Sequence, residues 1–162
     1  MKLKLPPDSR EFLGLLNSHG VKYVVIGGWA VAWHGAPRFT GDIDFFVECT
    51  PENAAKLELL VEEFMPGVFG WKAADFMDAG SWFQMGHEPQ RIDILTFASG
   101  LDFAEAWEQR VEGEFDGVKV WLISHELLVR NKLQSGRQKD LHDASLLQRR
   151  AAKPPAPRKR RR

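Results

Sequence analysis

The stretch that most limits how this chain can fold runs from Val24 to Val47, VVIGGWAVAWHGAPRFTGDIDFFV. Tyr23 to Ile26 is a short apolar run that reads as a buried strand and halts at Gly27-Gly28. Trp29 to Trp33 reads as a short helix, and Gly35-Ala36-Pro37 breaks it. Gly41 to Glu48 then reads as a second strand. Residues two apart on a strand share a face, so Asp42 and Asp44 stand side by side while Ile43 and Phe45 turn toward a core. Far downstream, Asp93 sits between Ile92 and Ile94 in the same kind of setting.

Two carboxylates held close repel one another unless a cation lies between them. Mg²⁺ is a hard ion that takes oxygen ligands, usually one or two carboxylates together with substrate phosphates. If the strand of Asp93 lies beside that of Asp42 and Asp44, three carboxylates converge, which suits a two-metal site for in-line displacement at phosphorus. The plain alternative for Asp93 is a salt bridge with Arg91 or Arg130. At Gly27-Gly28 the missing Cβ atoms let the backbone approach a ligand closely, and N–H groups at a helix start favour an anion such as a triphosphate.

In order, an apolar strand, Gly27-Gly28, thirteen residues (Trp29 to Gly41), Asp42-x-Asp44 and a distant apolar-Asp93-apolar resemble the DNA polymerase beta-like nucleotidyltransferase superfamily. The finer pattern, GGWAVAWHG followed by Arg38-x-Thr40-x-Asp42-Ile43-Asp44, is similar to small bacterial nucleotidyltransferases of the AbiEii toxin type. The resemblance covers roughly residues 10 to 148. It implies transfer of a nucleoside monophosphate from a nucleoside triphosphate to a hydroxyl, with Asp42, Asp44 and Asp93 holding two Mg²⁺ ions. The acceptor is open between a protein side chain, a tRNA end and a small molecule, and a toxin–antitoxin role is open with it. Many members have Gly-Ser where this chain has Gly27-Gly28, so here only backbone could meet the phosphates at that point. The second reading is a catalytically silent fold of the same kind that binds a nucleotide or a partner.

Two further groups bear on the nucleotide. Arg38 suits either a phosphate or an acidic partner, and Thr40 either a ligand or its own loop. In RNKLQSGRQKDLHD, Lys132, Arg137 and Lys139 surround a helix break at Gly136. They read either as a phosphate-facing cluster, oriented by Asp140 and Asp143, or as a solvated face. Relatives with a similar Lys…Gly-Arg-x-Lys-Asp pattern favour the phosphate. His34, His125 and His142 have no metal-ligand spacing, so zinc is not expected. Trp29 and Trp33 lie four apart on a helix and read as packing.

Elsewhere the sequence predicts a helix from Asp8, as N-cap with Glu11 three residues on, to His19, with Phe12, Leu13, Leu15 and Leu16 on its apolar stripe. Thr50 and Pro51 open another that runs to about Phe64, with Leu57, Leu60, Val61 and Phe64 on one side. Val68 to Trp71 reads as a weak strand. Ser81–Met85 and Ile92–Phe97 read as a hairpin, and Phe103 to Gln109 as a short helix. Asp116-Gly117 is a hairpin turn between Glu114-Phe115 and Val118–Ile123. Ser124 caps a helix to about Leu133, and Gln138 to Arg149 is the last. The expected fold is α/β (α+β): a small mixed sheet, flanking helices and a helical C-terminal segment.

The length of 162 residues allows one domain, expected over 1–148. Its single cysteine, Cys49, fits a reducing compartment and a small core role at a strand end. Without a run of eighteen apolar residues or a charged-then-apolar leader, the chain reads as cytoplasmic, with no membrane partner. Eight of the 22 basic residues lie in 149–162, leaving 14 basic against 22 acidic residues in the body. An acidic body is a poor nucleic-acid surface. The basic tail, expected to be disordered, could supply a weak nucleic-acid contact.

Overall fold

The structure, a computed structural model, describes residues 3–151. Thirteen elements follow one another: α1 (Pro7–Ser18), β1 (Tyr23–Ile26), α2 (Gly27–Trp33), β2 (Asp42–Val47), α3 (Pro51–Phe64), α4 (Ala73–Phe76), β3 (Trp82–Met85), β4 (Arg91–Leu95), α5 (Phe103–Glu108), β5 (Val111–Phe115), β6 (Val118–Leu122), α6 (His125–Ser135) and α7 (Gln138–Ala151). The strands form one mixed six-stranded sheet in the order β3-β4-β2-β1-β6-β5. The fold is the expected α/β arrangement.

Register places the site. β2 pairs antiparallel with β1 and parallel with β4, and Asp44 lies opposite Asp93 while Asp42 lies opposite Arg91. Alternation then sorts the two faces. Ile43 and Phe45 are buried, and the Phe45 ring meets Phe12 of α1 at 5.5 Å and Tyr23 at 5.6 Å. Asp42, Asp44 and Phe46 share the opposite face, where Phe46 meets Phe103 of α5 at 5.2 Å.

Two local expectations are corrected. Asp8 does not cap α1: Pro6 holds that position and Pro7 opens the helix, its fixed φ and missing N–H fitting the first turn. Asp8 sits within that turn as its acidic residue. Val68 to Trp71 is not a strand. Gly67 and Gly70 take φ of 72° and 65°, which a pleated strand does not accept, and Phe69 stacks on Trp71 at 4.4 Å instead. Elsewhere the sequence signals act as read. Thr50 accepts a hydrogen bond from the Asn53 amide, Ser124 from the Leu127 amide, and Gly136 closes α6 at φ 67°. Asp116 and Gly117 turn the β5–β6 hairpin at φ 50° and 80°. Because α7 runs to Ala151, Arg149 and Arg150 are helical, and the rest of the basic stretch lies outside the described residues. Cys49 is half-buried just past β2 and donates to the Phe76 carbonyl. No helix among the described residues is long and apolar enough to cross a membrane.

Candidate active site

All ten residues singled out for metal or nucleotide line one cleft of about 580 Å³: Gly27, Gly28, Arg38, Thr40, Asp42, Asp44, Asp93, Lys132, Arg137 and Lys139. Its floor is the β1–β2–β4 part of the sheet. Ligand oxygens of Asp42, Asp44 and Asp93 lie within 4.8 Å of one another, the one such acidic or metal-ligating group among the described residues. Asp93 is 1% exposed, the other two half-buried.

That proximity has an electrostatic signature. Burial first, then the charges of Asp42 and Asp93, push Asp44 up to about 8. Burial also raises Asp93, against the opposing hydrogen bonds from Arg91 and Trp82. A set of hard oxygen donors whose own charges oppose ionisation is suited to a divalent cation, so the residues present fit Mg²⁺. A carboxyl raised from its unfolded value favours the folded state fully below about pH 4 and loses that contribution as pH rises through its folded value. In chelator, melting temperature should therefore fall between about pH 5 and pH 9, and Asp44→Asn should flatten the slope. A wild-type slope unchanged in Asp44→Asn would refute the crowding of charge at Asp44.

The two glycines are required by what faces them. A Cβ at Gly27, where φ is 68°, would lie 2.0 Å from Asp44 Oδ2. A Cβ at Gly28 would lie 2.6 Å from Thr40 Oγ1. Gly27→Ala should lose about 1–2 kcal/mol through the left-handed backbone alone, and it should displace the Asp44 carboxylate as well. Chemical denaturation measures the first effect and divalent-cation affinity the second. An alanine variant with wild-type values in both would show that the approach is not tight.

Thr40 serves its own loop, its hydroxyl donating to the Asp42 carbonyl at 3.0 Å and lying 3.3 Å from Asp42 Oδ1. Arg38 is tied to α7, 105 positions on in sequence: Nε and Nη2 donate to Asp143 Oδ1 and Oδ2, both at 2.9 Å, and Nη1 donates to the Phe39 carbonyl at 3.0 Å. Lys132 is 5% exposed, its ammonium 3.0 Å from Asp140 and 3.1 Å from Asp143. Arg137 Nε donates to Asp140 at 2.8 Å, and Ser135 donates to the same carboxylate. Burial would raise Asp140, but these hydrogen bonds outweigh it and hold the group at about 2. Lys139 is exposed at the mouth. Three cations thus meet two carboxylates, and with Lys139 this side of the cleft stays net positive beside an acidic floor.

Sequence reasoning passed over some of the cleft. Arg91 entered only as a partner for Asp93, yet it bonds both Asp93 and Asp42. Its place two residues before Asp93 on a strand was the available signal. Phe39, Trp82 and Phe97 are 81%, 60% and 58% exposed and line the cleft as an aromatic rim. Trp82 Nε1 donates to Asp93 Oδ2 at 3.1 Å. Trp29 packs on Phe115 at 5.6 Å.

Comparison with known proteins agrees with this geometry. The family described as "Nucleotidyltransferase of unknown function (DUF6036)" matches residues 10–148. No curated protein matches the sequence. Among solved structures, a candidate nucleotidyltransferase from Thermotoga maritima superposes with a TM-score of 0.60 at 19% identity, covering 91% of this chain and 94% of that one. The lincosamide antibiotic adenylyltransferase LnuA, lincomycin-bound, gives 0.54 at 18% identity, over 90% and 98% of the two chains. ANT(2″)-Ia in complex with adenylyl-2″-tobramycin gives 0.56 at 18% identity, over 86% and 84%. At such identities these likenesses establish the shared fold.

Proposed function

This chain belongs to the DUF6036 nucleotidyltransferases, and from that membership we propose that it moves a nucleoside monophosphate from a nucleoside triphosphate to a hydroxyl acceptor. The observation that carries the reading is the convergence of Asp42, Asp44 and Asp93 on the floor of a cleft whose opposite wall is cationic. Mg²⁺ held by these three carboxylates would polarise the phosphates, lower the pKa of the attacking hydroxyl and offset charge at the α-phosphorus.

The chain's own groups divide the remaining work. Gly27 and Gly28 leave room for the Asp44 carboxylate and the Thr40 side chain, and the backbone N–H groups of this turn would meet the phosphates beside them. Arg38, held by Asp143, together with Arg137 and Lys139, faces their negative charge. Lys132 acts as a positioning residue through Asp140 and Asp143. Asp93, on β4, is two strands from β1 and takes the acceptor side. The acceptor oxygen bonds to the α-phosphorus, the bond from that phosphorus to pyrophosphate breaks, and the hydroxyl proton leaves to solvent. One similar structure is an antibiotic adenylyltransferase with lincomycin bound and another holds adenylyl-2″-tobramycin, which supports a small hydroxyl-bearing acceptor ahead of a protein side chain or a tRNA end.

The test is incubation with each α-labelled nucleoside triphosphate, Mg²⁺ and a cell extract, with pyrophosphate release followed beside transfer of label. Divalent-dependent release with label in an acceptor supports the reading. Binding of a nucleotide with no release under any condition would favour a silent binding module, against which the three intact carboxylates argue. The likeness of Arg38-x-Thr40-x-Asp42 to toxin-type relatives extends the proposal to a toxin–antitoxin pair. Growth arrest on expression, lost in Asp44→Asn, would support that extension.

A further inference from the structure

The acidic floor already contains a cation. Arg91 Nε donates to Asp93 Oδ1 at 2.8 Å, and Nη2 reaches Asp93 Oδ2 at 3.1 Å. The same Nη2 donates to Asp42 Oδ2 at 2.7 Å. The guanidinium thus straddles two of the three carboxylates from a position directly across the β2–β4 pair, where Arg91 is in register with Asp42. Its remaining nitrogen, Nη1, lies 3.5 Å from Glu88 Oε1, on a side chain that is 65% exposed.

We propose that Arg91 is an internal counter-ion that competes with the divalent metal for Asp42 and Asp93, yielding them as it turns onto Glu88. This deepens the nucleotidyltransferase reading of the same site and rests on it. A carboxylate oxygen that accepts a charge-assisted hydrogen bond from a guanidinium is short of the lone pair a metal would use, and two cations at one oxygen pair repel. Three crowded carboxylates, one buried and two half-buried, also repel one another, and a guanidinium with a planar fork of donors can hold two of them together until metal arrives. Glu88 gives the displaced guanidinium a partner at the rim, so it need not be left uncompensated beside the site. An arginine cannot lose its charge to make room, so metal entry requires the side chain to move. The two readings of Asp93, salt-bridge partner and metal ligand, then describe the same residue before and after metal enters.

The probe is Mn²⁺ without nucleotide, its affinity read by electron paramagnetic resonance of the free ion and by the metal-induced rise in melting temperature. Arg91→Gln removes the competing charge. It should bind Mn²⁺ about tenfold to a hundredfold more tightly than wild type, the scale of losing one hydrogen bond to a charged group. Arg91→Lys, which keeps the charge but cannot bridge two carboxylates in the same way, should fall between the two. Glu88→Gln, which removes the alternative partner, should bind more weakly than wild type. If Arg91→Gln does not fold, the same comparison on Arg91→Lys decides. Wild-type binding with equal or weaker binding in the Arg91 variants overturns the competition and leaves the nucleotidyltransferase reading standing. No Mn²⁺ binding by wild type or any variant overturns both.

Discussion

Asp44→Asn should abolish nucleotidyl transfer, lowering the rate by about a thousandfold or more, while the chain remains folded. Asp44 is the middle member of the acidic group, opposite Asp93 in register and against Gly27 on the other side. Asparagine has almost the same shape, so β2 keeps its pairing and the Cβ-free space at Gly27 still accepts the side chain. What is lost is one formal charge from a set of hard oxygen donors. Asp42→Asn should behave alike, since its oxygens belong to the same group. In the absence of metal, Asp44→Asn should melt at a higher temperature than wild type, because the amide needs no proton to sit beside two carboxylates. Loss of activity with gain of stability is the signature of a residue kept for function against the interest of the fold. The pair of measurements is single-turnover transfer and thermal melting in chelator. Wild-type turnover in either variant would remove the carboxylates from the chemistry.

Asp143→Ala should be the most destabilising single change at the cleft. Asp143 is fully buried and takes both Arg38 and Lys132, through hydrogen bonds of 2.9 Å and an ion pair of 3.1 Å. Removing it leaves Arg38 largely buried without its carboxylate and Lys132 with Asp140 alone. Breaking one side of a buried ion pair typically costs about 3–5 kcal/mol. For a domain of this size that corresponds to a fall in melting temperature of roughly 10 °C. Nucleotide affinity should fall with it, because Arg38 loses the partner that aims it across the cleft. Asp143→Asn retains two acceptor–donor contacts and should lie between alanine and wild type in both measurements. A normal melting temperature in the alanine variant would mean that water or Asp140 replaces Asp143, and the positioning role would fall.

The floor of the site was legible because it is local. Asp42-Ile43-Asp44 and Ile92-Asp93-Ile94 state their faces by alternation, and the glycines state where backbone must come close. The pairing of β2 with β4 was not legible in the same way, since parallel register between residues 49 apart in sequence is decided by packing of the whole chain. The cationic wall was half legible. Lys132, Arg137, Lys139, Asp140 and Asp143 were visible as a charged cluster around Gly136, but burial decides which charges are internal partners. Lys132 and Asp143 pair inside, and Lys139 faces the mouth. Arg38 reached Asp143 across 105 positions, a contact that no local pattern announces. Val68–Trp71 failed as a strand because its aromatic residues fit each other around two positive-φ glycines better than they fit a sheet edge.

The closeness of Thr40 to Gly28 has a consequence for how such chains can diverge. A side chain at position 28 would meet the Thr40 hydroxyl at 2.6 Å, so the two positions contend for one small volume. A serine after Gly27 and a threonine at 40 are mutually exclusive in this geometry. A lineage that moved from Gly-Gly to the Gly-Ser form would have to shrink position 40 first or in the same step. Each order passes through an intermediate with either a hole or a collision at the phosphate-facing loop. The two forms should therefore persist as separate groups with few chains between them, each with its own residue filling that volume.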